Sequence, residues 1–461
     1  MKAIKDGKPL SGRRGSRRGL YLVLVPLVLL VSLVCFLPRT SSGFRSTGAF
    51  LHGAKAVDRR YAVVIDAGST GSRVHTFTFD VLEGGVLELV KDDFLQLKPG
   101  LSSYAGDAAA AARSLDPLLD AAEAAVPEDK RAATRVMVGA TAGLRLLPGS
   151  QADDILAAVR EALSPAGKRS FAPPREQDVS ILSGSSEGAF AWLTLNYLLG
   201  HLGQPELSTV AAIDLGGGSV QEAFAMTPEE LAKAPADDYS MTLKGGDRTY
   251  NVYVKSYLGY GLMAARAAVI DAASPSAPRL GHACVHAAHN TTYVYAGVEH
   301  AVVGSEDAAE EPCRAAVRAA LREEETCGAP QLHCTFAGVW AGGRTPAAFY
   351  VSSYFWDRAG EARIIEDPNA IEQTLTPARF SDLAKQVCGK DDDAIKAEFP
   401  LVAEKDRPFF CLDLVYLHQL LTVGFKIPEH TTVTVIKKVR HKSGDVEVAW
   451  ALGAAINLLG S

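Results

Sequence analysis

Two hydrophobic patterns take turns along most of this chain: short apolar runs that stop at glycine-rich turns, and longer stretches spaced for a helix. The sharpest instance comes at Arg60. There the sequence reads RYAVVID, an apolar run ending in an acid, then AGSTGS, then the alternating RVHTFTF. That order predicts a strand, a tight glycine loop and a second strand. An alanine-rich helical stretch near 106–125, a strand at 134–140, a helix near 150–163, a strand at 179–182 and a helix from about Ser185 to Leu199 follow. Strands alternating with helices predict an α/β sheet.

The pattern then repeats itself. Val210 to Gln221 (VAAIDLGGGSVQ) echoes Val63 to Arg73 (VVIDAGSTGSR): an apolar strand, an Asp at its carboxyl end, a Gly/Ser loop and a second strand. Internal duplication predicts two similar lobes with a glycine loop from each facing a shared cleft. The expected division is a first lobe at 59–215, a second lobe at 216–445 that holds six cysteines, and a C-terminal helix at 446–461 returning to the first lobe.

The amino terminus follows another rule. Lys2, Lys5, Lys8, Arg13, Arg14, Arg17 and Arg18 are offset only by Asp6, and the run Leu20 to Leu37 that follows has no charge. At 1.5 Å per residue such a run reaches about 27 Å, enough for a thin bilayer. The reading is a cytosolic basic tail at 1–19, a transmembrane signal anchor at 20–37 and a small, polar luminal stem at 38–58. A cleaved signal peptide is the alternative, with Pro38-Arg39 where a small-residue cleavage site belongs. The anchored form is a single-pass type II membrane protein with its body in the lumen of the Golgi or another secretory compartment. Cysteine usage agrees: of seven, six (Cys284, Cys313, Cys327, Cys334, Cys388, Cys411) lie beyond the apolar run. An even set there favours disulfides, with the pairing open. Asn290-Thr291-Thr292 is a glycosylation acceptor. The formal net charge of −6 speaks against nucleic acid as a bulk partner.

An acidic protein that handles phosphates must do so with local devices. Successive backbone N–H groups in a glycine turn cradle a phosphate, and Ser69, Thr70, Ser72 and Ser219 add hydroxyls. Asp66 and Asp214 end their strands at the loops, where a carboxylate can hold a hydrated Mg²⁺ or Ca²⁺. No G-x-x-x-x-G-K-[ST] motif occurs. Between the loops lie Met137–Arg145 (MVGATAGLR), which offers Thr141 and Arg145, and Ile181–Gly188 (ILSGSSEG), which sets Glu187 at the start of a helix. A glutamate there is ordinarily a favourable partner for the helix dipole; between two phosphate loops it is also placed to activate water. Arg73 and Arg145 either contact phosphate or brace the loops, and Trp192 and Trp450 read as core.

Together DAGSTGSR, ATAGLR, SGSSEGAFAW, DLGGGSVQ and WALG resemble, in order, the motifs of the apyrase (nucleoside triphosphate diphosphohydrolase) family. YLGYGLMAARA, FYVSSYFWDRAG and YLHQLLTVGFKIP resemble its plant endomembrane members, and the likeness covers about residues 60–458. It implies an actin-like ATPase fold, two ribonuclease-H-like lobes with an interlobe cleft. It also implies hydrolysis of nucleoside tri- and diphosphates to the monophosphate. By that resemblance Glu187 activates water; Thr141, Ser219 and Gln221 position it; and Asp66 and Asp214 hold Ca²⁺ or Mg²⁺ through water. Gly68, Ser69, Thr70, Gly71, Ser72 and Arg73, with Gly216, Gly217 and Gly218, grip phosphates. Tyr350 is the candidate for stacking on the base, with a core aromatic as its plain alternative. Thr70 stands where many relatives have Ser, and Phe190 where Tyr is common. A kinase of the same fold would need an Asp base for an alcohol. An exopolyphosphatase-like enzyme is normally soluble and cytosolic, and a non-catalytic nucleotide sensor need not keep Glu187.

Overall fold

Ala62, Val63, Val64 and Ile65 are all buried completely, because strand β1 (Ala56–Ala67) runs through the middle of a sheet covered on both faces. The computed structural model describes residues 55–460 apart from 69–70, 146, 168, 236–238, 274–281 and 328–333. The expected basic tail, the anchor at Leu20–Leu37, nearly all of the stem, and Ser69 and Thr70 therefore lie outside the described residues. Among the described residues no helix is long and apolar enough to cross a membrane.

Around β1 the first sheet has the order β3-β2-β1-β4-β5. β2 (Ser72–Leu82) and β3 (Leu87–Leu97) run antiparallel as a meander, whereas β4 (Arg135–Ala140) and β5 (Val179–Ile181) are parallel to β1. The second sheet is built from β6 (Ala211–Leu215), β7 (Ser219–Met226), β8 (Ser240–Gly245), β9 (Arg248–Leu258), β13 (Phe349–Ser353), β14 (Glu372–Leu375) and β15 (Val433–Ile436). Its order is β14-β15-β13-β6-β7-β9-β8. Without the edge strands β8 and β14, it repeats the first: β6 and β7 are an antiparallel pair like β1 and β2, β9 continues the meander, and β13 and β15 run parallel to β6. The duplication read from two short segments therefore extends over five strands on each side. A small sheet of β10 (His282–His286), β11 (Asn290–Tyr295) and β12 (Val298–Ser305), and a hairpin of β16 (Lys438–His441) and β17 (Gly444–Glu447), complete the strands.

Three boundaries differ from expectation. β6 belongs to the second sheet, so the division falls before Ala211 rather than at 215; a hairpin strand stays with the loop and strand that follow it. The helical stretch near 106–125 is two helices, Ala108–Arg113 and Asp116–Ala125, because Pro117 is tolerated only in a helix's first turn. At the carboxyl end, Val446 and Glu447 are strand, with Val446 opposite Val439, and the helix begins at Trp450.

The two sheets share a central core. Ala62, Val64, Phe77 and Phe79 from the first and Ala212, Ala223, Val252 and Val254 from the second pack on the helices Gly184–Leu198 and Trp450–Gly460. Trp192 is fully buried there. Six cysteines form three disulfides, Cys284–Cys313, Cys327–Cys334 and Cys388–Cys411, which resolves the pairing left open by the sequence. Gly139 in β4 touches the C-terminal helix so closely that an added Cβ would lie 2.5 Å from the Trp450 ring. Gly139→Ala should lower unfolding free energy by about 1–3 kcal/mol through overpacking, read as a lower denaturation midpoint. An unchanged midpoint would mean the ring gives way freely.

Candidate active site

Register places the two duplicated aspartates in equivalent positions. Asp66, at the end of β1, faces Arg73 on β2 and Gly139 on β4; Asp214, at the end of β6, faces Gln221 on β7 and Ser352 on β13. Both line one cleft of about 1480 Å³, and Glu187 lines it too. Glu187 sits in the first turn of its helix, whose N-cap Ser183 accepts from the Ser186 N–H at 3.0 Å. Three acidic side chains from three separate segments thus share one space.

Their electrostatics follow from that crowding. Burial pushes the Glu187 carboxyl up to about 8; the Asp214 carboxylate adds to the rise, Arg145 opposes it and Asp66 adds again. Arg145 Nη2 donates to Glu187 Oε2 at 3.1 Å, and the Glu187 side chain keeps 16% exposure, enough to meet a water. Burial also raises Asp66, opposed by Arg73, whose Nη1 donates to Oδ2 at 3.0 Å. Asp214 is raised by burial and opposed by hydrogen bonds from Ser353 and Ser352 to its Oδ1. Ser353 holds a positive φ of 59°, an uncommon backbone state of the kind found at working sites. Arg73 and Arg145 therefore brace the carboxylates, and of the two Arg73 also lines the cleft.

The second glycine loop has a readable orientation. Gly216 O accepts from Leu262 N, Gly217 O from Met263 N and Ala264 N, and Gly218 O from Gly259 N. All three carbonyls are spent on the start of the helix Leu262–Ala273 and the turn before it. In a planar trans peptide the N–H points opposite to the carbonyl. The N–H groups of Gly217, Gly218 and Ser219 are thus turned away from those partners, in residues that line the cleft. An added Cβ on Gly261 would fall 2.3 Å from Ser219 N and 2.5 Å from Gly218 N, so only glycine lets this seat form.

Most residues expected at the site meet there: Gly68, Arg73, Thr141, Gly216, Gly217, Gly218 and Ser219 line the same cleft as the three acids. Gln221 lies just behind, its Nε2 donating to Ser219 Oγ at 2.7 Å. Gly71 and Ser72 do not line the cleft; Gly71 packs against the Leu97 carbonyl, which an added Cβ would approach to 2.7 Å, and Ser72 is buried. Tyr350 does not line it either. It packs half-buried against the central core, because it lies near the start of β13, whereas Ser352 and Ser353 at that strand's carboxyl end reach the cleft. Aromatic lining comes instead from Tyr354, Trp356, Tyr293, Tyr295 and Phe409, together with Trp450. Arg266, paired with Asp406 and Asp413, lies with its guanidinium carbon 5.0 Å from the Phe409 ring centroid. Trp450, read as core, is buried but also borders the cleft, as do Glu447, Ser352 and Ser353. The Ser352-Ser353 pair closing an apolar strand in FYVSSYF was the available signal for the serines. Asn290 is exposed, on β11 at the same cleft.

The carboxylates also fit a hard divalent cation. Asp66 Oδ1 is buried without a hydrogen-bond partner. Among the described residues no three His, Cys, Asp or Glu side chains gather around one ion. Oxygen donors that few suit an ion that keeps several waters and completes its shell with phosphate oxygens.

The sequence profile of the GDA1/CD39 (nucleoside phosphatase) family matches residues 52–461. Probable apyrase 1 of Oryza sativa subsp. japonica is 40% identical across 99% of this chain and 97% of its own length. Apyrase 1 of Arabidopsis thaliana is 42% identical over 87% and 86%. A guanosine-diphosphatase of Schizosaccharomyces pombe is 37% identical over 87% and 74%. Among solved structures, a nucleoside triphosphate hydrolase from Neospora caninum superposes with a TM-score of 0.59 over 87% of this chain and 92% of that one. Its 13% identity speaks for the fold alone.

In the metal-free protein Glu187 should release its proton near pH 8 rather than near its ordinary 4.5. A carboxyl infrared band lost in Glu187→Gln would report it, and Arg145→Gln should move it still higher. Release close to 4.5 would mean that the cleft hydrates Glu187 fully.

Proposed function

Since the chain belongs to the GDA1/CD39 nucleoside phosphatase family, we propose that it hydrolyses the terminal phosphate of nucleoside triphosphates and diphosphates with water activated by Glu187. One observation carries this reading: Asp66, Asp214 and Glu187 line a single cleft together with the Gly216–Gly218 loop. Relatives named apyrase, nucleoside-triphosphatase and guanosine-diphosphatase support a nucleotide as the substrate.

Arg145 occupies Glu187 Oε2, which leaves Oε1 to accept the proton of an attacking water. With Thr141 and Ser219 beside it, the water is held for in-line attack on phosphorus. The outward-turned N–H groups of Gly217, Gly218 and Ser219 bind phosphate oxygens, and with Arg73 they receive the charge that grows as the bond breaks. A divalent cation, Ca²⁺ or Mg²⁺, held through water by Asp66 and Asp214, would supply the remaining charge neutralisation. In its electrostatic field the Glu187 carboxyl would lose its proton more readily than without it. Tyr354, Trp356, Tyr293 and Phe409 form the apolar wall on which a nucleobase can stack.

The setting proposed from the amino terminus is a secretory membrane, with a type II anchor at Leu20–Leu37 and glycosylation at Asn290. Three disulfides support an oxidising compartment. Glu187→Gln should retain nucleotide binding while kcat falls by about 10²–10⁴; near-normal turnover would remove Glu187 from the mechanism. Excess EDTA should abolish phosphate release, and adding back Ca²⁺ or Mg²⁺ should restore it. Release that persists in the chelator would remove the cation from Asp66 and Asp214.

A further inference from the structure

Two glycines seat the Glu187 helix on β7 and β9. A Cβ on Gly188 would come 2.9 Å from Gln221 Cβ and 3.0 Å from Val254 Cγ2, and one on Gly184 would come 2.0 Å from Ser256 Oγ. Ser256 is the register partner of Gln221, so both side chains leave the same face of the sheet, toward that helix. Gln221 Nε2 donates to Ser256 Oγ at 3.1 Å as well as to Ser219 Oγ at 2.7 Å. Ser256 itself does not line the cleft, and it belongs to none of the glycine loops.

A side-chain amide nitrogen carries two hydrogens, and here two serines take one each. The amide can flip only by giving up both bonds. Ser219 Oγ, moreover, is an acceptor on its protein side, so its own hydrogen is left for an acceptor in the cleft. We infer that Ser256 is a positioning residue for hydrolysis: it clamps the Gln221 amide so that Ser219 presents its hydroxyl hydrogen to the oxygen of the attacking water. That water then accepts from Ser219, gives its proton to Glu187 and keeps a lone pair for phosphorus. The inference rests on the hydrolase reading above and adds a residue to it.

A serine that merely filled space beneath the helix would act independently of Gln221, so a double-mutant cycle on the full chain separates the two roles. One lost hydrogen bond predicts that Ser256→Ala lowers kcat by about 3- to 10-fold with KM changed by less than about 2-fold. In a Gln221→Ala background, where no clamp remains, Ser256→Ala should cost less than about a further 2-fold. Should Ser256→Ala not fold, Ser256→Cys replaces it, since sulfur keeps the shape but accepts weakly. Unchanged kcat in Ser256→Ala, a change confined to KM, or losses that multiply in the double variant would overturn the inference. Glu187→Gln measured alongside tells the two levels apart. If it is inactive while Ser256 fails these criteria, only the positioning role falls; if it keeps near-normal turnover, Glu187 leaves the mechanism and this inference falls with it.

Discussion

Three carboxyl groups in one part-buried cleft is a costly arrangement, and much of the local architecture answers it. Burial raises the proton affinity of Asp66, Glu187 and Asp214 alike, and the aspartates raise that of Glu187 further. Each acid is met by its own donors: Arg73 for Asp66, Arg145 for Glu187, and Ser352 with Ser353 for Asp214. None of these partners cancels the charge of the cleft as a whole. Carboxyl groups crowded in this way favour a cation and a substrate that brings its own cation, which links the electrostatics directly to the proposed chemistry.

Holding the acids together requires backbones to approach more closely than side chains allow. Glycine solves this at several levels. Gly184 and Gly188 let the Glu187 helix rest on the second sheet, and Gly261 lets the start of the next helix draw the carbonyls of Gly216–Gly218 to one side. Gly139 admits Trp450, and Gly453 lies against the Phe190 backbone, so that the C-terminal helix ties the strand end bearing Asp66 to the helix bearing Glu187. The glycines flagged as phosphate loops therefore divide into two kinds. Gly216 to Gly218 face the cleft, whereas Gly71 faces β3 and serves packing.

The duplicated strand–Asp–loop–strand segment was legible because its physical requirements are local: an apolar run, an acid at the strand end and residues that tolerate a tight turn. From it came the α/β class, the two sheets and the meeting of Asp66, Asp214 and Glu187. What escaped depended on register and on contacts distant in sequence. Tyr350 stays away from the cleft because it precedes the carboxyl end of β13, and where a strand's pairing stops is not written in its own residues. Tyr354, four residues on, reaches the cleft instead, and Phe409 joins it from a segment with no repeat or loop signature. Ser256 is invisible alone; it matters only because β9 sets it opposite Gln221. Likewise, only its pairing with β13 places β6 in the second sheet, a contact between segments distant in sequence.

A structure of the protein with a non-hydrolysable nucleoside triphosphate and Mg²⁺ tests the central claim most directly. The account predicts the terminal phosphate against the N–H groups of Gly217, Gly218 and Ser219, the cation on the side of Asp66 and Asp214, and a water bonded to Glu187 Oε1 in line with the phosphorus. Phosphates bound outside this cleft, or a Glu187 that meets no water on the far side of the bond to be broken, would contradict it.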